Sequence, residues 1–185
     1  MAQGRRTIIL VLGGARSGKS RWAQERAAEF RRVTFVATGQ AGDSEMRNKI
    51  AHHRRERPST WRTVEAPVHL PEAIRSESLD ADVLLIDCFT LYVANVMRTG
   101  RKSEAHNGGR IRELRDAIRS STTSIIAVSN EVGSGIVPAF PSGRVYRDLL
   151  GRLNQEIAAI ADTVVLMIAG VPLAVKGRLR PRRRP

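Results

Sequence analysis

The chain of 185 residues has a single cysteine, Cys88, and so can close no internal disulfide. Aromatic residues are scarce, at 4% of the chain. A surface that binds nucleic acid by stacking bases needs aromatic platforms beside its cations, so this scarcity weighs against one. The longest apolar run, Val164 to Val175, covers 12 residues and is broken by Gly170 and Pro172. A bilayer span needs roughly 20 apolar residues. The amino-terminal stretch MAQGRRTIILVLGG passes directly into a strand pattern with no small-residue cleavage site, so no signal peptide is read there. These absences predict a cytoplasmic protein without a membrane span.

Positive charge is in excess, with a formal net charge of +13. The final ten residues, KGRLRPRRRP, carry six of those charges and no acid. A Pro/Arg segment without apolar periodicity predicts a disordered basic tail over 177–185, following one catalytic domain over 1–176. The tail reads either as a solubilising extension or as a weak polyanion binder. No specific nucleic-acid partner is expected.

Short apolar runs alternate with longer helical patterns. TIILVL (7–12), VTFVAT (33–38), VLLIDC (83–88) and SIIAVSN (124–130) read as strands, and WRTVE (61–65) as a short one. Helices are expected over Lys19–Phe30, from Asp43 or Ser44 to about Pro58, and over 89–98, 110–119 and 144–161. TVVLMIA (163–169) and PLAVK (172–176) read as strands joined by a Gly-Val-Pro turn. Uninterrupted apolar strands alternating with helices predict an α/β three-layer sandwich with a mostly parallel sheet and a carboxy-terminal antiparallel hairpin strand. The polar stretch 99–109 reads as a linker.

The first strand runs into GGARSGKS, Gly13 to Ser20, before a helix. This is G-x-x-x-x-G-K-[ST], in the context the chemistry requires. Glycines let backbone N–H groups turn inward on phosphate oxygens, helped by the helix N-terminus. Gly13, Gly14, Ala15, Arg16, Ser17, Gly18, Lys19 and Ser20 are therefore candidate nucleotide contacts. Lys19 offers charge to the outer phosphates, and the Ser20 hydroxyl suits Mg²⁺. Asp87 closes VLLID and is expected on a strand neighbouring the loop, as a second Mg²⁺ ligand; a helix cap for the segment from Phe89 is the other reading. Cys88 reads as a small buried residue.

Two adjacent histidines lie in MRNKIAHHRRERP. Neighbours on a helix point about 100° apart. His53 shares a face with Met46, Ile50 and Arg57, while His52 sits among Glu45, Lys49 and Glu56. His53 is thus the body-facing ring, either a hydrogen-bonded core group or a nucleophile. Arg54, Arg55 and Arg57 nearby favour a triphosphate or are simply solvated.

Several stretches together resemble one family. They are LVLGGARSGKSRWAQ, VATGQAGDSEMRNKIAHHRRERPSTWRTVEAP, VLLIDCFTLYVANVM, VSNEVGSGIVPAFPSGRVYRDLLGRLNQEIAAIAD and VVLMIAGVPLAVK. The combination of H-R-x-x-R-P-x-x-W, T-V-E and NEVG-x-GIVP is similar to the bifunctional adenosylcobinamide kinase / adenosylcobinamide-phosphate guanylyltransferase family. The resemblance implies a P-loop, RecA-like fold, a homotrimer, and two reactions. A nucleoside triphosphate, ATP or GTP, phosphorylates adenosylcobinamide. GTP then guanylylates an enzyme histidine, and adenosylcobinamide phosphate takes the GMP. The histidine that matches the motif is His53.

The resemblance further implies nucleotide contacts at Gly13 to Ser20, Thr38, Gly39, Gln40, Arg54, Arg55, Glu56, Arg57, Glu65 and Asp87. Glu65 suits a guanine edge or a ribose, or is a surface acid. NEVGSGIVP (130–138) reads as a glycine turn or as part of the ligand edge, and the resemblance places it in a corrinoid or subunit-interface region. Arg144, Asp148 and Arg152 are spaced for i,i+4 ion pairs. Phe89 and Tyr92 depart from the family pattern in packing only, and nothing is carried over to the arginine tail.

Overall fold

The computed structural model describes residues 6–40, 58–99 and 104–179. A seven-stranded sheet runs through them. Its strands are β1 (Ile8–Gly13), β2 (Val33–Ala37), β3 (Arg62–Glu65), β4 (Val83–Asp87), β5 (Ser124–Val128), β6 (Thr163–Ile168) and β7 (Val171–Lys176). The helices are α1 (Lys19–Ala27), α2 (Leu70–Glu77), α3 (Phe89–Thr99), α4 (Glu104–Ser120) and α5 (Pro141–Ile160). The strand order is β3-β2-β4-β5-β1-β6-β7. All pairs are parallel except β6–β7, which is the antiparallel hairpin expected from the sequence.

The central strands are buried along most of their length, β5 throughout, because both faces of the sheet are covered. On one face Val11, Phe35, Leu85, Ile126 and Val165 pack under Trp22, Ala23 and Ala27 of α1. On the other, Leu10, Val36, Leu84, Ile86 and Ile125 pack under residues of α2, α3, α4 and α5, including Ile74, Tyr92, Leu114 and Leu153. Each such aliphatic side chain contributes about 1.5–3 kcal/mol on burial.

Local details depart from the sequence reading. α2 is not foreseen; its apolar face is short, with Leu70 and Ile74 buried and Pro71 in its first turn. Residues 104–109, read as linker, open α4, and Gly108 is buried within it. α5 starts at Pro141, since proline has no N–H to satisfy at a helix start. The β6–β7 turn is Ala169–Gly170, both at positive φ (50° and 85°), the geometry that lets a two-residue hairpin follow strand twist. Arg144, Asp148 and Arg152 do not pair with one another. Arg144 donates to Pro138 O and Ala139 O, Asp148 pairs with Arg147 at 3.6 Å, and Arg152 with Glu156 at 3.4 Å. Packed structure also continues past Lys176: Leu179, assigned to the tail, packs against the α1-side core.

Candidate active site

The parallel strands end together at one edge of the sheet. Glu65, Ala37, Asp87, Val128 and Val11 form a single cross-strand row there. Paired residues point to the same face, and Val11 and Val128 belong to the α1-side core. The Asp87 and Glu65 carboxylates therefore rise on the side of α1. Asp87 does not lie on the strand next to β1, as the sequence reading expected. β5 intervenes, so the two are roughly 10 Å apart at about 4.8 Å per strand.

The loop after β1 is held in a conformation that few side chains allow. Gly13 has φ 153°, and a Cβ there would meet Met167 O at 2.6 Å and Ser17 Oγ at 2.7 Å. Gly18 has φ 92°, and Arg16 sits at φ 55°. Gly18 is also the N-cap of α1 and supplies no side-chain cap, which leaves the first-turn N–H groups to a ligand. Two neighbours brace the loop. Gly170 N–H of the β6–β7 turn donates to Ser17 O at 3.0 Å, and Glu131 N–H, just past β5, donates to Gly13 O at 3.0 Å. Gly14, Ala15 and Arg16 are exposed, while Ser17 and Lys19 are buried.

Lys19 Nζ donates to Gly14 O at 2.6 Å, with Ser17 Oγ at 3.5 Å. Burial pushes the Lys19 ammonium below its ordinary range, and the nearby Asp87 carboxylate opposes that shift. The ammonium is thus folded back over the loop, close to the β4 terminus. Burial, with Asp87 adding to it, pushes the Cys88 thiol up to about 11, in keeping with a packing residue and not a nucleophile.

The turn after β2 is locked to β4. Thr38 is fully buried; its hydroxyl donates to Cys88 O at 2.7 Å and accepts from Cys88 N–H at 2.8 Å. Asn95 of α3 donates to Thr38 O at 2.8 Å and to Pro67 O at 3.2 Å. This one amide joins the turns after β2 and β3 and was not singled out from the sequence. Its signal was present: a lone polar residue on the buried side of LYVANVM, three residues after Tyr92. Gly39 and Gln40 continue from Thr38, with Gln40 exposed; Glu65 is exposed on the edge strand. Just past β5 and on α5, Ser129 Oγ and Asn154 Oδ1 are buried with no hydrogen-bond partner.

The structure brings together Gly13 to Ser20, Thr38, Gly39, Asp87 and, further out, Gln40 and Glu65. His53, Arg54, Arg55, Glu56 and Arg57 lie outside the described residues. The donor set of the Ser20 hydroxyl and Asp87 carboxylate is all oxygen, which fits a hard cation such as Mg²⁺. Among the described residues there is no cluster of three or more His, Cys, Asp or Glu that could hold a metal by itself. No helix among them is long and apolar enough to cross a membrane. A cavity of about 470 Å³ lies at the opposite edge of the sheet, lined by Thr7, Trp22, Phe30, Asp162 and Leu179, and takes in none of the loop residues.

A strand, a glycine loop and an uncapped helix on a mostly parallel sheet define a P-loop nucleotide-binding fold. Solved structures agree with this at the level of fold alone. The assembled ATPase EscN from the type III secretion system of enteropathogenic E. coli superposes with a TM-score of 0.55 at 12% identity, over 89% of this chain and 43% of that one. The family model for cobinamide kinase / cobinamide phosphate guanyltransferase matches residues 9–175, and the chain belongs to that family. It is 43% identical to the bifunctional adenosylcobalamin biosynthesis protein CobP of Pseudomonas aeruginosa, over 91% of this chain and 96% of that protein. It is 38% identical to the bifunctional adenosylcobalamin biosynthesis protein CobU of Escherichia coli K12, over 91% and 99%.

Proposed function

We propose that this protein phosphorylates adenosylcobinamide with a nucleoside triphosphate and then transfers GMP from GTP to the phosphate so formed. The observation that carries the reading is the braced G-x-x-x-x-G-K-S loop facing Asp87, in a chain of the cobinamide kinase family. In the kinase step the loop N–H groups and Lys19 hold the β- and γ-phosphates. The substrate hydroxyl oxygen bonds to the γ-phosphorus and gives its proton up to solvent as the bond to the β,γ-bridging oxygen breaks and NDP leaves. Ser20 and Asp87 would hold Mg²⁺, whose charge offsets that of the phosphates.

In the second step a ring nitrogen of His53 attacks the α-phosphorus of GTP and pyrophosphate departs. An oxygen of adenosylcobinamide phosphate then displaces the imidazole, giving adenosylcobinamide-GDP. A histidine phosphoramidate splits one difficult displacement into two. The assignment of His53 rests on the helix face predicted from its sequence spacing and on the H-R-x-x-R-P motif. Thr38, Gly39, Gln40 and Glu65 form the nucleotide edge, and Arg54, Arg55 and Arg57 offset phosphate charge. A homotrimer goes with this reading. Val171, Leu173 and Val175 stand exposed on one side of edge strand β7, which an isolated subunit would leave open to pairing or packing.

The test is incubation of the pure protein with GTP labelled on its α-phosphate. An acid-labile, alkali-stable protein adduct is expected, abolished by His53→Ala and retained by His52→Ala. Labelling that survives the loss of both histidines would overturn the second step.

A further inference from the structure

Strand β5 lies between the loop strand and the strand of Asp87, and its pairing with β1 does not stop at Val128. Ile125 N–H donates to Thr7 O at 2.9 Å, Ser129 N–H to Val11 O at 2.9 Å and Glu131 N–H to Gly13 O at 3.0 Å. The sequence offset is the same in all three, so the register runs on through Glu131. Side chains alternate between faces along such a run. Ile126 and Val128 lie in the α1-side core, Ile125 and Ala127 in the other. Asn130 therefore projects on the α1 side, beside Gly13 and one pleat beyond Val128. Asp87 pairs with Val128. From about 3.3 Å per residue and 4.8 Å per strand, the Cα atoms of Asn130 and Asp87 are roughly 8 Å apart. The Lys19 ammonium, held on Gly14 O, approaches the same point from the loop. The backbone of Asn130 is fixed on both sides by side chains. Its N–H donates to Thr90 Oγ1 at 2.9 Å, and its carbonyl accepts from Asn154 Nδ2 at 3.0 Å. The residue is half-buried, and its side-chain amide has no hydrogen-bond partner among the described residues.

We propose that the Asn130 amide is a catalytic group of the kinase step: Nδ2–H donates to a γ-phosphoryl oxygen while Oδ1 accepts a hydrogen bond from the attacking hydroxyl. The inference rests on the kinase reading above. In that reading Lys19 and the loop N–H groups hold the phosphates, and neither aims the attacking oxygen. An amide carries a donor and an acceptor on one planar group, so it can hold both reactants in line. It takes up no proton. The hydroxyl proton still leaves to solvent as the new oxygen–phosphorus bond forms and the bond to the β,γ-bridging oxygen breaks. A carboxylate at this position would repel the triphosphate, so the neutral side chain suits the place. Guanylylation breaks the bond between the α-phosphorus and the α,β-bridging oxygen and leaves the γ-phosphoryl bonds intact. It needs the amide far less.

The experiment compares Asn130→Ala and Asn130→Asp in the full chain. In Asn130→Ala, kcat for cobinamide phosphorylation at saturating substrates should fall by about 10²-fold or more, the size expected when one transition-state donor is lost. The nucleotide Kd by calorimetry and the labelling of the enzyme by α-labelled GTP should change by no more than a few-fold. The unfolding temperature should hold, because no side-chain bond is removed. Asn130→Asp keeps the shape, loses the donor and adds a negative charge. It should lose at least as much kcat and also weaken nucleotide binding. A kcat within a few-fold of wild type in either variant overturns the proposal. So does an equal loss of phosphoryl transfer, nucleotide binding and GTP labelling in Asn130→Ala, which would make the residue part of the loop's frame. Full phosphoryl transfer by a Lys19→Ala enzyme would instead overturn the kinase reading on which the proposal stands.

Discussion

Where the parallel strands begin, most polar groups satisfy one another. Asp162 accepts from Ile8 N–H at 2.8 Å, Asp82 holds Arg32 through both backbone and guanidinium, and Thr123 Oγ1 donates to Ala81 O at 2.7 Å. Where those strands end, the helix after the glycine loop has no side-chain cap, a lysine is buried in the loop, and, among the described residues, Ser129 Oγ and Asn154 Oδ1 are buried without a hydrogen-bond partner, against Arg6 Nε where the strands begin. The first edge spends its polar groups on the fold. The second keeps donors and a charge in reserve at some cost in stability, as sites that bind charged ligands do.

Exchange of Lys19 for alanine should open the widest gap between the edges. Phosphoryl transfer should fall by about 10³-fold or more, because a positioned cation on the transferring group is lost. Thermal unfolding should hold steady or move up, since a desolvated ammonium is removed. A parallel fall in both activity and unfolding temperature would blur the contrast.

Two glycines offer a matched pair. Gly13 at the ligand edge and Gly177 at the other both adopt positive φ, 153° and 74°, and a Cβ at either would collide with backbone. Alanine at each should cost about 1–3 kcal/mol in denaturant unfolding. Only Gly13→Ala should also abolish nucleotide binding in calorimetry. Comparable nucleotide loss in Gly177→Ala would show that the edges are not independent.

Asn95→Ala should have a mixed effect. Loss of its bonds to Thr38 O and Pro67 O should destabilise by about 1–3 kcal/mol and raise the nucleotide KM several-fold. Restoration of KM by Asn95→Gln would identify a positioning role. An unchanged KM in the alanine variant would confine Asn95 to the fold.

The smallest effect belongs to Asp82. Its hydrogen bond with Arg32 holds its carboxyl below the ordinary range. The folded state is therefore favoured above the pKa of an unfolded aspartate, and the advantage disappears as pH falls through the lowered folded value. Unfolding of wild type and Asp82→Asn should differ slightly at neutral pH and converge in acid, the difference being small because solvent screens this pair. Phosphoryl transfer should not respond.

The glycine loop, β1, β4 and the β6–β7 hairpin were legible because each is written in adjacent residues. α2 was not, since only Leu70, Pro71 and Ile74 mark its buried face over eight residues. The start of α4 was hidden by Gly108 and Gly109. Glycine disfavours a helix by about 1 kcal/mol, and a buried site against a neighbouring helix overrides that propensity. Asn95 could be seen as an oddity on an apolar face, but not as a tie between two turns, because its partners lie 57 and 28 residues away.

Sequence by itself determined the phosphate cradle, the alternation of strands and helices, and the family motifs around His53. These depend on short-range spacing, which chain geometry enforces wherever the segment ends up. Only tertiary structure decided that β5 separates Asp87 from the loop strand, that the β6–β7 turn and Glu131 brace the loop, and that Asn95 closes over Thr38. Strand order and such contacts come from pairings far apart in the chain, selected by which apolar faces can be buried together, and no local pattern encodes them.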